Sequence, residues 1–234
     1  VQCAMGTTAK GESVSGRDAI LGAIRASLGS RDDDVARMAV AARLKDHPRN
    51  LVPSRSAVGN EERVAMFVSQ IEATHASVVR VDDSDDVPAA VAAYLAQHNL
   101  PASATLAPDV ADLGWDAQPM LETRIGVPIE SDQVGVTAAF AAIAETGTLM
   151  LTSGPDSPIT LNLLPDNHVV ILHRSQITGS LEDAWDALRA RTNDAAMPRT
   201  AMFVSGPSST ADIELTMYLG AHGPRRLHVI LVED

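Results

Sequence analysis

Two runs decide the fold: His168-Val169-Val170-Ile171-Leu172-His173, and further along Leu227-His228-Val229-Ile230-Leu231-Val232. Each is almost wholly apolar, rich in β-branched residues and as short as one strand, the pattern of a strand buried on both faces. Between them the spacing predicts a helix over Leu181–Arg191, a strand over Thr200–Ser205 and a second helix over Ala211–Leu219. Upstream the alternation continues. Asn60 stands where it can cap a helix whose inner face is Val64, Phe67, Val68 and Ile71, and Ser77–Val81 reads as a strand. Asp85-Asp86 opens a helix through Val87, Val91, Tyr94 and Leu95, and Ala104–Leu106 is a weaker strand after Pro101. Strands alternating with helices predict an α/β fold, a mostly parallel sheet with helices on both faces.

Outside this alternation the chain changes character. Residues 1–14 are small and polar and read as a disordered tail. From Ser15 an S-x-x-D cap precedes Ile20, Leu21, Ile24 and Leu28 at helical intervals, with Gly29 as the stop. A charged stretch over Arg31–Arg43 follows, with Val35, Met38, Ala39 and Ala42 as its apolar positions. Residues 15–50 are therefore expected to be a helical arm, suited to packing on a partner or a second copy in a homo-oligomer, and 51–234 the α/β domain. The start lacks the charged and apolar regions of a secretory signal, so a cytoplasmic location is expected.

Composition excludes several functions. The 234 residues carry 18 Lys+Arg against 30 Asp+Glu, a net charge of −12, and the basic residues are scattered apart from the pair Arg225-Arg226, which disfavours nucleic acid. No apolar run approaches the roughly 20 residues needed to cross a bilayer. The single cysteine, Cys3, leaves no thiolate set for a zinc site, a disulfide or an iron–sulfur cluster held by this chain. His168 and His173, five apart on one strand, point to opposite faces and make poor joint metal ligands, so no metal is indicated.

Three segments carry candidate chemistry. Val134–Asn162 is dense in Gly, Thr, Ser and Pro and reads as loop lining a crevice at the carboxyl ends of the strands. Within it, Ile143-Ala144-Glu145-Thr146-Gly147-Thr148-Leu149 puts a carboxylate and two hydroxyls at a sharp bend, with Glu145 as base or nucleophile and Thr146, Gly147 and Thr148 as ligand-binding positions. The same residues also fit a tight turn in which Glu145 caps local N–H groups. Gly206-Pro207-Ser208-Ser209-Thr210 follows a strand and is expected to open a helix, where Gly206, Ser208, Ser209 and Thr210 would cradle an anion, or simply cap the helix. His222, in Gly220-Ala221-His222-Gly223-Pro224, is a candidate acid or base, although a loop histidine is also commonly structural. Dinucleotide, P-loop, zinc-hydrolase and serine-hydrolase motifs are absent.

Taken in order, Ile143–Leu149, Leu164-Pro165 before His168-Val169-Val170, Gly206–Glu214 and Gly220–Pro224 resemble the LUD domain family over roughly Leu51 to the end. The resemblance implies a fold related to glucosamine-phosphate deaminase, ribose-phosphate isomerase and CoA transferases, including 5-formyltetrahydrofolate cyclo-ligase. It also implies the cluster-free, accessory role in a system oxidising L-lactate to pyruvate, beside two iron–sulfur lactate utilization proteins of A and B type. On this reading the chain binds no cofactor of its own and the clusters lie on the partners. Ser209 departs from the family pattern, in which a basic residue is expected there. Two other functions are weighed: a stand-alone enzyme acting on a small phosphorylated or CoA-linked acid through Glu145, and a non-catalytic ligand-binding or assembly protein.

Overall fold

The computed structural model describes residues 15–28, 34–192, 197–211 and 217–233. The chain divides into two compact units, Val1–Arg49 and Asn50–Asp234. The first holds α1 (Gly16–Leu28) and α2 (Asp34–Asp46). Ser15 caps α1 as its spacing predicts: the Asp18 N–H donates to Ser15 Oγ at 3.2 Å, and the Ser15 hydroxyl donates to the Asp18 carboxylate at 2.6 Å. The tail expected over 1–14 and Cys3 lie outside the described residues.

The second unit runs α3 (Asn60–Glu72), β1 (Ser77–Val81), α4 (Val87–Gln97), β2 (Ser103–Leu106), β3 (Glu122–Ile125), β4 (Val134–Ala138), β5 (Ala141–Ile143) and β6 (Thr148–Thr152). It continues through β7 (Asn167–His173), β8 (Ile177–Thr178), α5 (Leu181–Thr192), β9 (Ala201–Val204), β10 (Ser209–Ala211), β11 (Met217–Leu219) and β12 (Arg226–Val232). Six strands form one sheet in the order β1-β12-β7-β4-β2-β3, every neighbour parallel. The two deciding runs of sequence are adjacent in it, His168 beside Leu227 and Leu172 beside Leu231.

Successive side chains on a strand alternate faces, and the packing follows that period. Val169, Ile171, Ile230 and Val232 meet Val87, Val91 and Leu95 of α4 on one face. Val170, Leu172, Val229 and Leu231 meet Val64, Phe67 and Ile71 of α3 on the other. Each such side chain, fully buried, contributes roughly 1.5–3 kcal/mol. A second sheet, β8-β5-β6-β9, joins the α3 side: Ala142, Leu149 and Leu151 point inward, while Ile143 and Met150 point outward to Ala184 and Leu188 of α5.

The α/β class and the parallel sheet with helices on both faces are as expected, and three local readings are corrected. Val134–Asn162 is not mainly loop but carries β4, β5 and β6, whose small residues fit under α3 and α5. No helix spans 211–219: the described ends, Ser209–Ala211 and Met217–Leu219, pair as antiparallel strands. The cap of α3 is Gly59, with no side-chain bond, and Asn60 is the first helical residue.

Candidate functional site

The connection leaving β2 leads to β3 on one side, and that leaving β4 leads to β7 on the other, although β2 and β4 are neighbours. Such a reversal opens a crevice at the carboxyl ends of the strands, the usual ligand site of open parallel sheets. A cavity of about 280 Å³ lies there, lined by Asp109, Ala138, Phe140, Ser153, Asp156 and Arg191 among others. Asp109 follows β2 on the short turn Pro108–Val110, and its N–H donates to the Asp156 carbonyl at 3.0 Å. Asp109 is exposed at the rim of the crevice, where desolvation by the surrounding wall and the nearby Asp156 carboxylate push its carboxyl up to about 6. It can therefore exchange a proton near neutral pH. Arg191, in the last turn of α5, lies 4.0 Å from the centroid of the Phe140 ring and donates to Thr152 Oγ1 at 3.0 Å. Ring and hydroxyl hold the guanidinium in place, and its remaining N–H groups suit a carboxylate. The stretch Val134–Asn162, expected at such a crevice, supplies Ala138–Phe140 and Thr152–Ser157 of its lining, whereas Asp109 and Arg191 come from distant segments that match no motif and were not foreseen.

Part of the predicted set gathers elsewhere. A second cavity, of about 250 Å³, is lined by Gly206, Ser208 and His222, together with Asn162, His168 and Ser205. It sits at the amino ends of β7 and β12, since His168 and Leu227 border it from the first residues of those strands. His168 is fully buried, 2.8 Å from Thr137 Oγ1 through Nε2, and burial lowers it to about 3, so the ring is neutral. Asn162 is buried as well, and neither atom of its amide has a hydrogen-bond partner. Gly206 has a φ of +126°, and a Cβ there would lie 2.7 Å from Thr74 Oγ1 and 2.8 Å from the Thr74 carbonyl, so this loop abuts the end of α3. Ser209 and Thr210 do not line the cavity; they belong to β10, opposite Leu219 and Tyr218. The anion cradle expected at a helix start is therefore not formed there, because a strand follows instead of a helix.

Glu145 lies in neither cavity. It occupies the turn Ala144–Thr146 between β5 and β6, with Gly147 in the left-handed region at φ +59°. A Cβ on Gly147 would come within 2.4 Å of the Ile71 nitrogen, so α3 packs directly on this turn. The Glu145 side chain is only 8% exposed, and its Oε2 is 3.6 Å from Arg55 Nη2 and accepts no hydrogen bond. A cap for local N–H groups is thus not what this oxygen provides. The hydroxyls of Thr146 and Thr148 are 2.7 Å apart, and Thr148 Oγ1 is 2.6 Å from Ser205 Oγ, a chain of contacts that reaches the rim of the second cavity. Among the described residues no three His, Cys, Asp or Glu side chains converge on a metal position, and no helix is long and apolar enough to cross a membrane.

Comparison with known proteins agrees with this architecture. A DUF162 family protein of Deinococcus radiodurans, known from a crystal structure, superposes with a TM-score of 0.58 over 75% of this chain and 99% of that one, at 23% identity. An uncharacterized protein of Neisseria meningitidis serogroup B is 41% identical over 98 residues, 42% of this chain and 41% of that protein. A protein of Exiguobacterium named Lactate utilization protein C is 33% identical over 122 residues, 51% of this chain and 52% of that protein. The chain spans about half the length of the curated relatives it matches. The LUD domain itself matches residues 64–232, from the inner face of α3 to the last residue of β12, and the chain belongs to the LUD domain family.

Proposed function

We propose that this chain is the cluster-free component of an L-lactate oxidising system, and that it holds the small acid in the crevice between the carboxyl ends of β2 and β4. The observation that carries the reading is the meeting of Asp109 and Arg191 on that crevice. A 2-hydroxy acid presents a carboxylate, which the Arg191 guanidinium can grip, and a hydroxyl, whose proton a carboxyl titrating near 6 can accept. Its relatives named Lactate utilization protein C support lactate as the acid. With one cysteine among its 234 residues, the chain has no thiolate set for a cluster, so the redox centres are assigned to iron–sulfur partners.

The test is anaerobic affinity purification of the full chain from its own cells grown on L-lactate, followed by iron analysis and lactate-dependent dye reduction, in parallel with Arg191→Met. The expected result is co-purifying iron–sulfur protein and activity with the wild-type chain. Arg191→Met should keep the partners and raise the KM for lactate by about tenfold or more, as loss of a charged hydrogen-bond partner does. An iron-free, inactive eluate would overturn the partnership. An unchanged KM in the variant would overturn the placement of the acid.

A further inference from the structure

A third cavity, of about 210 Å³, lies outside both sites above and is lined by Asn60, Arg63, Val64, Arg174, Ser175 and Ile177. Like the crevice, it is at the carboxyl side of the large sheet, since Arg174 and Ser175 directly follow β7. Arg63 is its unusual member. The guanidinium is spread over two main-chain carbonyls, Val58 at 3.3 Å and Ile177 at 3.5 Å, and its Nε–H is buried without any acceptor. Among the described residues no carboxylate pairs with it, in a chain whose net charge is −12. A partly buried cation with no counter-ion is costly unless an anion balances it, and here an anion would meet the Nη groups, since Nε is sealed off.

The neighbours are donors too. The exposed side chains of Asn60 and Ser175 line the same cavity. Asn60 begins the thirteen-residue α3, whose cap residue Gly59 offers no side chain to the first-turn N–H groups. Arg174 borders the cavity too, its guanidinium shared with Glu233 Oε2 at 3.0 Å and with the exposed Glu61. One guanidinium without a carboxylate partner, a second shared with two carboxylates, a hydroxyl and an amide suit an oxyanion with several acceptor oxygens better than a planar carboxylate.

We infer that the cavity between the start of α3 and the end of β7 is a phosphate site, holding inorganic phosphate or the phosphate of a small monoester, with Arg63 as its principal ligand. It is separate from the lactate crevice and does not rest on that assignment. The experiment is an amide-resolved NMR titration of the full chain with inorganic phosphate, then glycerol phosphate, then L-lactate. Phosphate is expected to shift the amides of 60–64 and 174–177 saturably. Arg63→Gln should weaken binding about tenfold or more, and Arg63→Lys should restore part of it. Ser175→Ala, which removes only a hydroxyl, should weaken binding a few-fold and serves if the Arg63 variants fail to fold; Arg191→Met should leave the titration unchanged. Tighter binding of glycerol phosphate would identify a monoester as the ligand, and equal binding would identify phosphate itself. Absence of saturable shifts in these segments, equal shifts in Arg63→Gln and Ser175→Ala, or stronger binding of L-lactate than of phosphate here would overturn the inference.

Discussion

Gly147 and Glu145 sit two residues apart on one turn, and the structure separates their roles. Gly147 is there for geometry: its φ is +59°, and any Cβ would run into the backbone of α3 at Gln70 and Ile71. Gly147→Ala should therefore cost roughly 2–4 kcal/mol, strain and overpacking together, measured as a fall in the urea midpoint. Gly154, where a Cβ meets nothing within 4 Å, is the control, and Gly154→Ala should stay within about 0.5 kcal/mol of wild type. Glu145 is a buried carboxylate with only a loose contact to Arg55 and lies away from the proposed acid-binding crevice. Glu145→Gln keeps the shape and removes the charge, so stability should hold within about 1 kcal/mol and lactate-dependent activity within about twofold. A thousandfold loss of turnover with the fold intact would return Glu145 to the catalytic role its sequence context suggests.

Local pattern and pairing compete at the level of elements, and the outcome depends on where each element finds its hydrogen bonds. α3 was legible because Val64, Phe67 and Ile71 fall on one helical face, and the structure buries all three. Phe67 is fully buried between the two sheets, so Phe67→Ala should destabilise by roughly 3–5 kcal/mol in urea unfolding. Leu44→Ala on α2, where no residue is buried, should change stability by less than about 0.5 kcal/mol. The segment from Gly206 to Leu219 misled because Ser, Thr and Asp ahead of apolar residues look like a capped helix. Its described ends pair with each other instead, Ser209 with Leu219 and Ala211 with Met217. Pairing between positions that far apart leaves no local periodicity to read. The same holds for β5 and β6, short strands of Ala, Thr and Leu that the Gly and Pro around them disguised as loop.

Proton binding by the whole molecule links these sites to stability. Burial lowers His168 to about 3, and burial, with His98 nearby, lowers His228 to about 4; His228 also stacks on Tyr94 at 4.3 Å and contacts Ser77 at 2.8 Å. Both rings are neutral in the folded chain but take up protons below about 6.5 once unfolded. The unfolded state then binds more protons across that window, so stability falls as the pH drops, by about 2 kcal/mol per histidine between pH 7 and 5. Asp109 acts in the opposite sense: with its carboxyl raised to about 6, protonation favours the folded state as pH falls through that value toward the unfolded carboxyl range. Urea midpoints at pH 7 and 5 check this, and His168→Gln should lose about 2 kcal/mol of the wild-type drop; an undiminished drop would remove His168 from the account. By itself the sequence determined the α/β class, the central strands β7 and β12, the helices α3, α4 and α5, and the family, because these rest on local periodicity and on contiguous motifs. Only the tertiary structure decided which polar residues share a site. Asp109 and Arg191 are joined by the reversal of strand order, and Arg63 and Arg174 by the docking of α3 on the end of β7. Such juxtapositions follow from how the sheet orders its strands, and neighbouring positions along a chain carry no record of that order.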